Sequence, residues 1–159
     1  MDATAALRRF ELERLYADYA RCLDADELER WPDFFVEDCF YRITSAENYE
    51  AGLPLGLVRA TSRAMLMDRV KALREANVYE PQRYRHLVSA LAMLGEGEDG
   101  LDLEANFLVV RTMQDGAMML FAAGRYVDRV VREAGEWKFA RREVVLDSRQ
   151  IDTLLAIPL

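Results

Sequence analysis

Three long runs of strand-forming residues lie between residues 101 and 146, in the stretch LDLEANFLVVRTMQDGAMMLFAAGRYVDRVVREAGEWKFARREVVL. The runs are rich in β-branched and aromatic residues and contain no proline, as is typical of strands. Asp115 and Gly116 separate the first two runs, and an Asp-Gly pair supplies the positive φ angles of a hairpin turn. A second turn at residues 133–136 separates the last two runs. The stretch therefore predicts a long, bent, antiparallel sheet, with Gly124 at a bulge or a sharp bend.

Both faces of this predicted sheet are partly apolar. In the first strand, Phe107 and Val109 alternate with Leu108 and Val110 on the opposite side. An antiparallel sheet with one face in water has a cleaner alternation of apolar and polar residues. Helices can cover one face, so the other face needs a second cover. Another subunit is one candidate for this cover, and the loops or the curl of the chain itself are an equally good one.

The rest of the chain predicts helices, two further strands and a loop. In chain order these are a helix over 4–22, a short helical segment ending at 35, a strand over 39–44, a loop over 48–56, a helix capped by Thr61 or Ser62 and ending near 76, and a strand over 85–94. This order indicates an α+β fold, with helices packed on one face of a curved, antiparallel-rich sheet. A curled sheet closed by a helix forms a cone, and a cone usually encloses a pocket.

The hydrophobic spacing of the helical segments predicts which side chains face the core. The inward residues are expected to be Leu7, Phe10, Leu15, Tyr19 and Cys22 in the first long helix, and Met65, Leu66, Val70 and Leu73 in the second. In the short helical segment between them, Trp31-Pro32 and Phe34-Phe35 are expected to plug the core.

Length, charge and cysteine content limit the class of protein. The 159 residues predict one domain over 1–159 that buries about 70% of its unfolded surface. The formal net charge of −7 argues against binding to nucleic acid, and no apolar run is long enough to span a membrane. Residues 1–4 lack the features of a secretory signal. Cys22 and Cys39 offer no disulfide framework, so we expect the cytoplasm, with two free thiols or, alternatively, one disulfide.

The sequence lacks the ligands of the common catalytic metal centres. His86 is the only histidine, so one chain cannot build an iron site of two histidines and a carboxylate, nor a Rieske cluster. Cys22, Cys39 and His86 contain no closely spaced ligand pair, and we therefore predict no metal site. Glycine-rich nucleotide-binding motifs and a nucleophile elbow are also absent.

One acid–base pocket remains conceivable from the residue types present. Tyr16 or Tyr19 on the first helix, together with Asp38, Tyr41 and His86, could line the interior of a cone. A buried carboxylate beside a tyrosine donor can act as a general base. In the simpler interpretation the tyrosines are core aromatic residues, Asp38 makes a local contact, and His86 is a hydrogen-bonded structural histidine.

Two groups of residues are candidates for contacts with another subunit. Arg83 and Arg85 could pair with carboxylates of a neighbour, since arginine suits interface ion pairs, although pairing within the chain is equally open. The segment 152–159 is too apolar for a solvated tail, so we expect it to dock on a surface. Its candidate interface residues are Leu154, Leu155, Ile157 and Leu159.

Several segments carry a resemblance to a known family. They are WPDFF (31–35), EDCFYRIT (37–44), LREANVYE (73–80), RYRHL (83–87) and DTLLAIPL (152–159). In these segments the chain resembles the small (beta) subunits of bacterial aromatic-ring-hydroxylating dioxygenases. The residues LREAN and the ending DTLLAIPL are most similar to the terephthalate dioxygenase and salicylate hydroxylase branch.

The resemblance implies a nuclear-transport-factor-2-like cone and a role in assembly. It implies that three such subunits form a base for three large subunits, which hold a Rieske iron-sulfur cluster and a mononuclear iron. This chain would then be a non-catalytic subunit, without a cofactor of its own, of an oxygenase acting on an aromatic carboxylate such as terephthalate or a salicylate. The alternative is a stand-alone isomerase or dehydratase with the same cone, in which Tyr19, Asp38, Tyr41 and His86 would be the working residues.

Overall fold

The computed structural model describes residues 2–76, 80–148 and 157–159. Its helices are α1 (Ala3–Asp24), a 3-10 helix (Leu28–Phe34), α2 (Ala46–Glu50) and α3 (Arg63–Glu75), and its strands are β1 (Phe35–Ser45), β2 (Val58–Ala60), β3 (Gln82–Glu96), β4 (Leu101–Met113), β5 (Met118–Glu133) and β6 (Glu136–Leu146). The strands form one sheet in the order β2-β1-β6-β5-β4-β3. Only β1 and β6 run parallel among these neighbours. The predicted α+β fold with a curved, antiparallel-rich sheet is confirmed.

The strands β4, β5 and β6 form the predicted meander. Gly116 has a φ of 91° in the turn between β4 and β5, as the Asp-Gly pair indicated. The prediction of a bulge at Gly124 is wrong, because the register of β5 runs through this residue without a shift on either side. The shift between β4 and β5 falls next to Phe121 instead. Gly124 meets a different need, since a Cβ atom there would overlap the main-chain oxygen of Val145.

The helix α1 buries one stripe of side chains and exposes two residues that the spacing had placed inward. Leu12 is fully buried, whereas Leu7 and Phe10 are 58% and 57% exposed. Each helical residue turns the side-chain direction by about 100°, so Phe10 lies about 160° around the helix from Leu12. Leu7 lies on that same outer side. Both line an open groove beside Trp137 instead of the core.

The helix α3 is capped as predicted, and three of its four predicted inward residues are buried. The Ser62 side chain accepts a hydrogen bond from the main-chain N–H of Met65. Leu66, Val70 and Leu73 are buried at the spacing of one helix face. Met65 is 44% exposed, because it lies one residue outside this stripe.

Two short elements and several boundaries differ from the sequence prediction. The predicted loop over 48–56 overlaps α2, which Ser45 caps, and β2 was not predicted at all. The three residues of β2 are too few to show an alternating pattern. The strand β1 begins four residues earlier than predicted, and β3 begins three residues earlier.

The short helical segment plugs the core as predicted. Trp31 and Phe35 are fully buried, Pro32 is buried, and Phe34 is partly exposed.

Cys22 and Cys39 are free, buried thiols, and burial raises the pKa of each to about 11. In the described residues, no helix is long and apolar enough to cross a membrane.

Candidate subunit interface and cone interior

Half of the outer face of the sheet, the face opposite α1 and α3, is covered by the chain itself. The segment between α2 and β2 lies over β1 and β6. The Arg42 guanidinium donates to the main-chain oxygen of Leu53 at 2.8 Å, and the Thr44 hydroxyl donates to that of Leu55 at 2.8 Å. Beneath this segment Arg42 Nε donates to Glu143 at 2.8 Å. The alternative that loops provide the second cover is therefore correct for this half.

In the part of the chain that the structure describes, the other half of the outer face has no cover. Its outward residues come from the aligned strands β3, β4 and β5. We use the name β3–β5 outer face for seven of them: Arg83, Arg85, Leu87, Leu108, Val110, Met118 and Leu120. Met118, Leu120 and Leu87 are 74%, 72% and 51% exposed. Contiguous exposed apolar side chains on a soluble protein mark an interaction surface.

Arg83 and Arg85 lie at the margin of this surface, as exposed residues of the edge strand β3. Arg85 is aligned with Val110, and Arg83 with Thr112. Neither arginine has an ion-pair partner in the part of the chain that the structure describes. The two guanidinium groups are therefore free to pair with carboxylates of another chain.

A fully buried ion pair lies in the interior of the cone. Arg142 Nε and Nη2 donate to the two carboxylate oxygens of Asp128 at 2.9 and 2.7 Å, and both side chains are completely buried. The Tyr16 hydroxyl also donates to Asp128. The guanidinium carbon of Arg142 lies 3.8 Å from the ring centre of Tyr126 and 4.0 Å from that of Phe139.

The electrostatics of this pair keep Arg142 charged. Burial opposes the charge, but the Asp128 carboxylate outweighs it, so the pKa of Arg142 lies well above its usual value. The sequence analysis missed the pair. The available signal was that Asp128 and Arg142 have the same parity as the inward Tyr126 and Val144 on their strands.

Tyr19 and Tyr41 come together in the cone, as predicted for an acid–base pocket. Their hydroxyls both donate to the main-chain oxygen of Leu159 at 2.8 Å. Trp31 Nε1 donates to the Tyr19 hydroxyl at 3.0 Å. The space that these groups surround is therefore filled by the chain itself.

The predicted carboxylate of that pocket is elsewhere. Asp38 is exposed on β1, where the pairing of β1 with β6 is interrupted between Phe35 and Phe40, so its side chain is not directed into the cone. His86 instead binds Asp24, with 2.6 Å between Nδ1 and Oδ1, and its main-chain N–H donates to the same carboxylate at 3.0 Å. This contact ties the end of α1 to β3, as expected of a hydrogen-bonded structural histidine.

The candidate interface residues of the segment 152–159 are placed in part. Ile157 is 5% exposed and Leu159 is fully buried within the chain's own core, which leaves them almost no surface for a neighbouring subunit. Their apolar character is therefore satisfied inside the chain. Leu154 and Leu155 lie outside the described residues.

Among the residues with described positions, no group of three or more histidine, cysteine or acidic side chains is arranged to hold a metal ion.

Comparisons with known proteins agree with this architecture. Residues 4–143 match the SnoaL-like domain family. The chain is 43% identical to the anthranilate 1,2-dioxygenase small subunit of Burkholderia cepacia, over 94% of this chain and 93% of the relative. It is 39% identical to a terephthalate 1,2-dioxygenase terminal oxygenase subunit beta of a Comamonas species, over 96% and 99% of the two chains. A crystal structure from Novosphingobium aromaticivorans, assigned as the beta subunit of an aromatic-ring-hydroxylating dioxygenase, superposes with a TM-score of 0.89 at 37% identity, covering 98% and 99%.

The fold is a curved six-stranded sheet with helices on one face, and the sequence matches the SnoaL-like family. Together these findings define a SnoaL-like, nuclear-transport-factor-2-like domain. Within this class the chain belongs to the small subunits of aromatic-ring-hydroxylating dioxygenases. It is a component of such an enzyme and not its catalytic subunit.

Proposed function

We propose that this chain is a single cone-shaped assembly domain that binds copies of itself and a large oxygenase subunit, in a complex of three small and three large subunits. The large subunit would hold the Rieske cluster and the mononuclear iron. The relatives' names as small subunits support a larger partner. A chain with one histidine does not offer ligands for either iron centre.

The observation that carries this proposal is the β3–β5 outer face. It combines three exposed apolar side chains, Leu87, Met118 and Leu120, with Arg83 and Arg85, for which residues 2–76, 80–148 and 157–159 provide no ion-pair partner. An apolar centre with arginines at its margin is the usual composition of a protein–protein interface. Among the described residues, the chain's own loop covers the outer face over β1 and β6, and the half over β3–β5 is available to a subunit.

For the substrate of the complete enzyme we propose an aromatic carboxylate, such as terephthalate, a salicylate or anthranilate. The support is that relatives at 43% and 39% identity are named for anthranilate and terephthalate. We place the complex in the cytoplasm, in a pathway that degrades aromatic compounds, and the two free thiols suit a reducing compartment.

The stand-alone isomerase or dehydratase is not supported by the geometry. Tyr19 and Tyr41 are engaged with Leu159, Asp38 is exposed, and His86 is bound to Asp24. The four residues that would have to act on one substrate are thus in three separate places.

The test of the proposal is purification of the tagged chain from its host, followed by native mass and iron analysis of the eluate. We expect a larger, iron-containing chain in equal stoichiometry, in a mass that corresponds to three copies of each. Elution of the chain alone and free of iron under gentle conditions would contradict the proposal.

Charge reversal at the margin of the β3–β5 outer face gives a first prediction. We expect Arg83→Glu/Arg85→Glu to reduce the assembled fraction while the isolated chain stays folded, because both side chains are exposed and form no ion pair with the described residues. Native mass spectrometry measures assembly and circular dichroism measures folding. Arg14→Glu, on the exposed side of α1, is the matched control and should assemble normally. Normal assembly of the double variant would remove these arginines from the interface.

A further inference from the structure

An open cavity of about 520 Å³ lies between the helix α1 and the edge strand β3. Two contacts tie the helix to the strand near the ends of this cavity. The Arg9 guanidinium donates to the main-chain oxygen of Leu91 at 3.4 Å, and Asp24 binds Nδ1 of His86 at 2.6 Å. The volume lies within the range of small-molecule sites, about 300–1,000 Å³.

Small side chains and a bend in the edge strand make room for the cavity. Ala17 and Ala20 of α1 and Ala90 of β3 line it. Ala90 has a φ of 56°, which is unfavourable for an alanine, and it lies at a bulge where the register of β3 and β4 shifts between Ser89 and Ala92. Backbone strain of this kind is concentrated at binding sites. The alanines of α1 offer an apolar wall against which a flat group can lie.

The walls of the cavity carry more positive than negative side chains. The charged residues that line it are Arg9, Arg21 and Arg85 on the positive side and Glu13 and Asp24 on the negative side. Both carboxylates are already engaged, because Glu13 lies 2.8 Å from Arg9 Nε and Asp24 accepts hydrogen bonds from the ring and the main-chain N–H of His86. The excess of positive charge favours an anionic ligand.

Arg21 is the arginine of these walls that is available to a ligand. Its side chain is exposed and has no ion-pair partner within residues 2–76, 80–148 and 157–159. Arg85 also belongs to the β3–β5 outer face, where we assign it to another subunit. A guanidinium group can bind a carboxylate through two parallel hydrogen bonds. The cavity therefore suits a small acid with one carboxylate and an apolar body.

We propose that the cavity between α1 and β3 is a binding site for a single-ring aromatic carboxylate, with the carboxylate at Arg21 and the ring against Ala17 and Ala20. The negative charge and the flat shape of the ligand follow from the walls of the cavity. The aromatic character of the acid rests on the substrate class proposed above for the complete enzyme.

The test is a calorimetric titration of the purified full-length chain with benzoate. Benzoate should bind and should raise the unfolding temperature of the chain. Benzamide has the same ring without the charge, so it should bind at least about tenfold more weakly. Cyclohexanecarboxylate keeps the charge but has a thicker, puckered ring, so it should also bind more weakly. Equal binding of benzoate and either of these compounds would overturn the proposal.

Two variants locate the site. Arg21→Gln removes the charge that holds the carboxylate and should weaken benzoate binding about tenfold or more. Arg14→Gln is the matched control, because Arg14 lies on the same helix but lines the groove beside Trp137. Its affinity for benzoate should equal that of the unaltered chain.

The second variant, Ala17→Leu, fills part of the cavity and should also weaken binding. Ala6→Leu is its control, since Ala6 is equally exposed on α1 but does not line the cavity. Both alanines are exposed, so the variants should fold, which circular dichroism verifies. Absence of benzoate binding to the folded chain, or binding that Arg21→Gln and Ala17→Leu leave unchanged, would overturn the proposal.

The titration is independent of the test of the proposed function. It uses the small subunit alone, whereas the purification from the host tests for a larger partner and iron. Absence of benzoate binding would therefore leave the proposed assembly intact. Elution of the chain without a partner would contradict the assembly and would leave a benzoate site at Arg21 intact.

Discussion

The buried pair of Asp128 and Arg142 is the residue-level feature on which the interior of the cone depends. Two charges at zero exposure are tolerated because the guanidinium forms two hydrogen bonds to the carboxylate and lies among aromatic rings. Removal of one partner would leave the other charge buried without a counter-charge. The resulting loss of folding free energy is larger than the net stabilisation that the intact pair provides.

Substitutions in this pair should therefore be strongly non-additive. We expect Asp128→Asn alone to lower the free energy of unfolding by about 3–5 kcal/mol, because Arg142 is then uncompensated. The double variant Asp128→Leu/Arg142→Met removes both charges and should be less destabilised than Asp128→Asn. Urea unfolding monitored by circular dichroism measures these differences. The prediction would be contradicted if the double variant lost as much free energy of unfolding as the two single variants, one at Asp128 and one at Arg142, lose together.

The buried tyrosines predict a loss of stability in alkali. Burial raises the pKa of Tyr16, Tyr19, Tyr41 and Tyr126 in the folded chain. Since the folded-state pKa is above that of the unfolded state, this contribution to stability is complete below about pH 10 and is lost as the pH rises further. Tyrosinate absorbance at 295 nm should therefore rise together with the loss of circular dichroism. Ionisation of these tyrosines in a chain that remains folded would contradict the prediction.

At the level of elements, the long strands were readable from the sequence and the short segments were not. The strands β4, β5 and β6 have 11 to 16 residues, enough to show their pattern and the turn at Asp115-Gly116. The elements α2 and β2 have five and three residues, too few for a period to appear. Their placement depends on contacts such as that of Arg42 with Leu53, which only the folded chain brings together.

The close approach of β5 and β6 at Gly124 gives a prediction for this pair of strands. Gly124→Ala should destabilise the chain by at least about 2 kcal/mol, because the added Cβ atom would overlap the main-chain oxygen of Val145 and force the strands apart. Gly95→Ala is the matched control, since the nearest atom to a Cβ there is a side-chain oxygen of Asp102 at 3.7 Å. Thermal unfolding of the two variants measures the difference. Equal midpoints would show that β5 and β6 can separate at no cost.

Some residues of the candidate site could be predicted from the sequence, and others could not. The sequence offered Arg83 and Arg85 as interface candidates because arginine suits interface ion pairs, with pairing inside the chain left open. Their exposure beside Leu87 and Val110 became apparent only in the fold. The contacts of Leu159 with Tyr19 and of His86 with Asp24 join residues 140 and 62 positions apart. No local pattern records such pairs, so the occupied cone and the displaced Asp38 became apparent only in the fold.

For the whole molecule, the two faces of the sheet explain why the chain serves assembly. The inner face holds the helices, the ion pair and residues 157–159, and Tyr19 and Tyr41 are engaged with Leu159. Tyr16 and His86 line an open cavity between α1 and β3, whose described lining does not include Tyr19, Asp38 or Tyr41. The outer face is covered by the chain's own loop over β1 and β6 and is exposed over β3–β5. This exposed apolar surface agrees with the relatives, which are small subunits of dioxygenases and therefore components of larger enzymes.

The most direct measurement is the assembled fraction of Leu120→Asp, co-expressed with its large subunit and weighed by native mass spectrometry. Leu120 is 72% exposed in the chain alone, so the variant should fold normally, yet a carboxylate at an apolar interface should prevent assembly. Leu7→Asp is the control, because Leu7 is similarly exposed, at 58%, on the helical side of the sheet. The account predicts loss of the complex for Leu120→Asp and its retention for Leu7→Asp. An intact complex containing Leu120→Asp would show that the β3–β5 outer face is not the surface that holds the enzyme together.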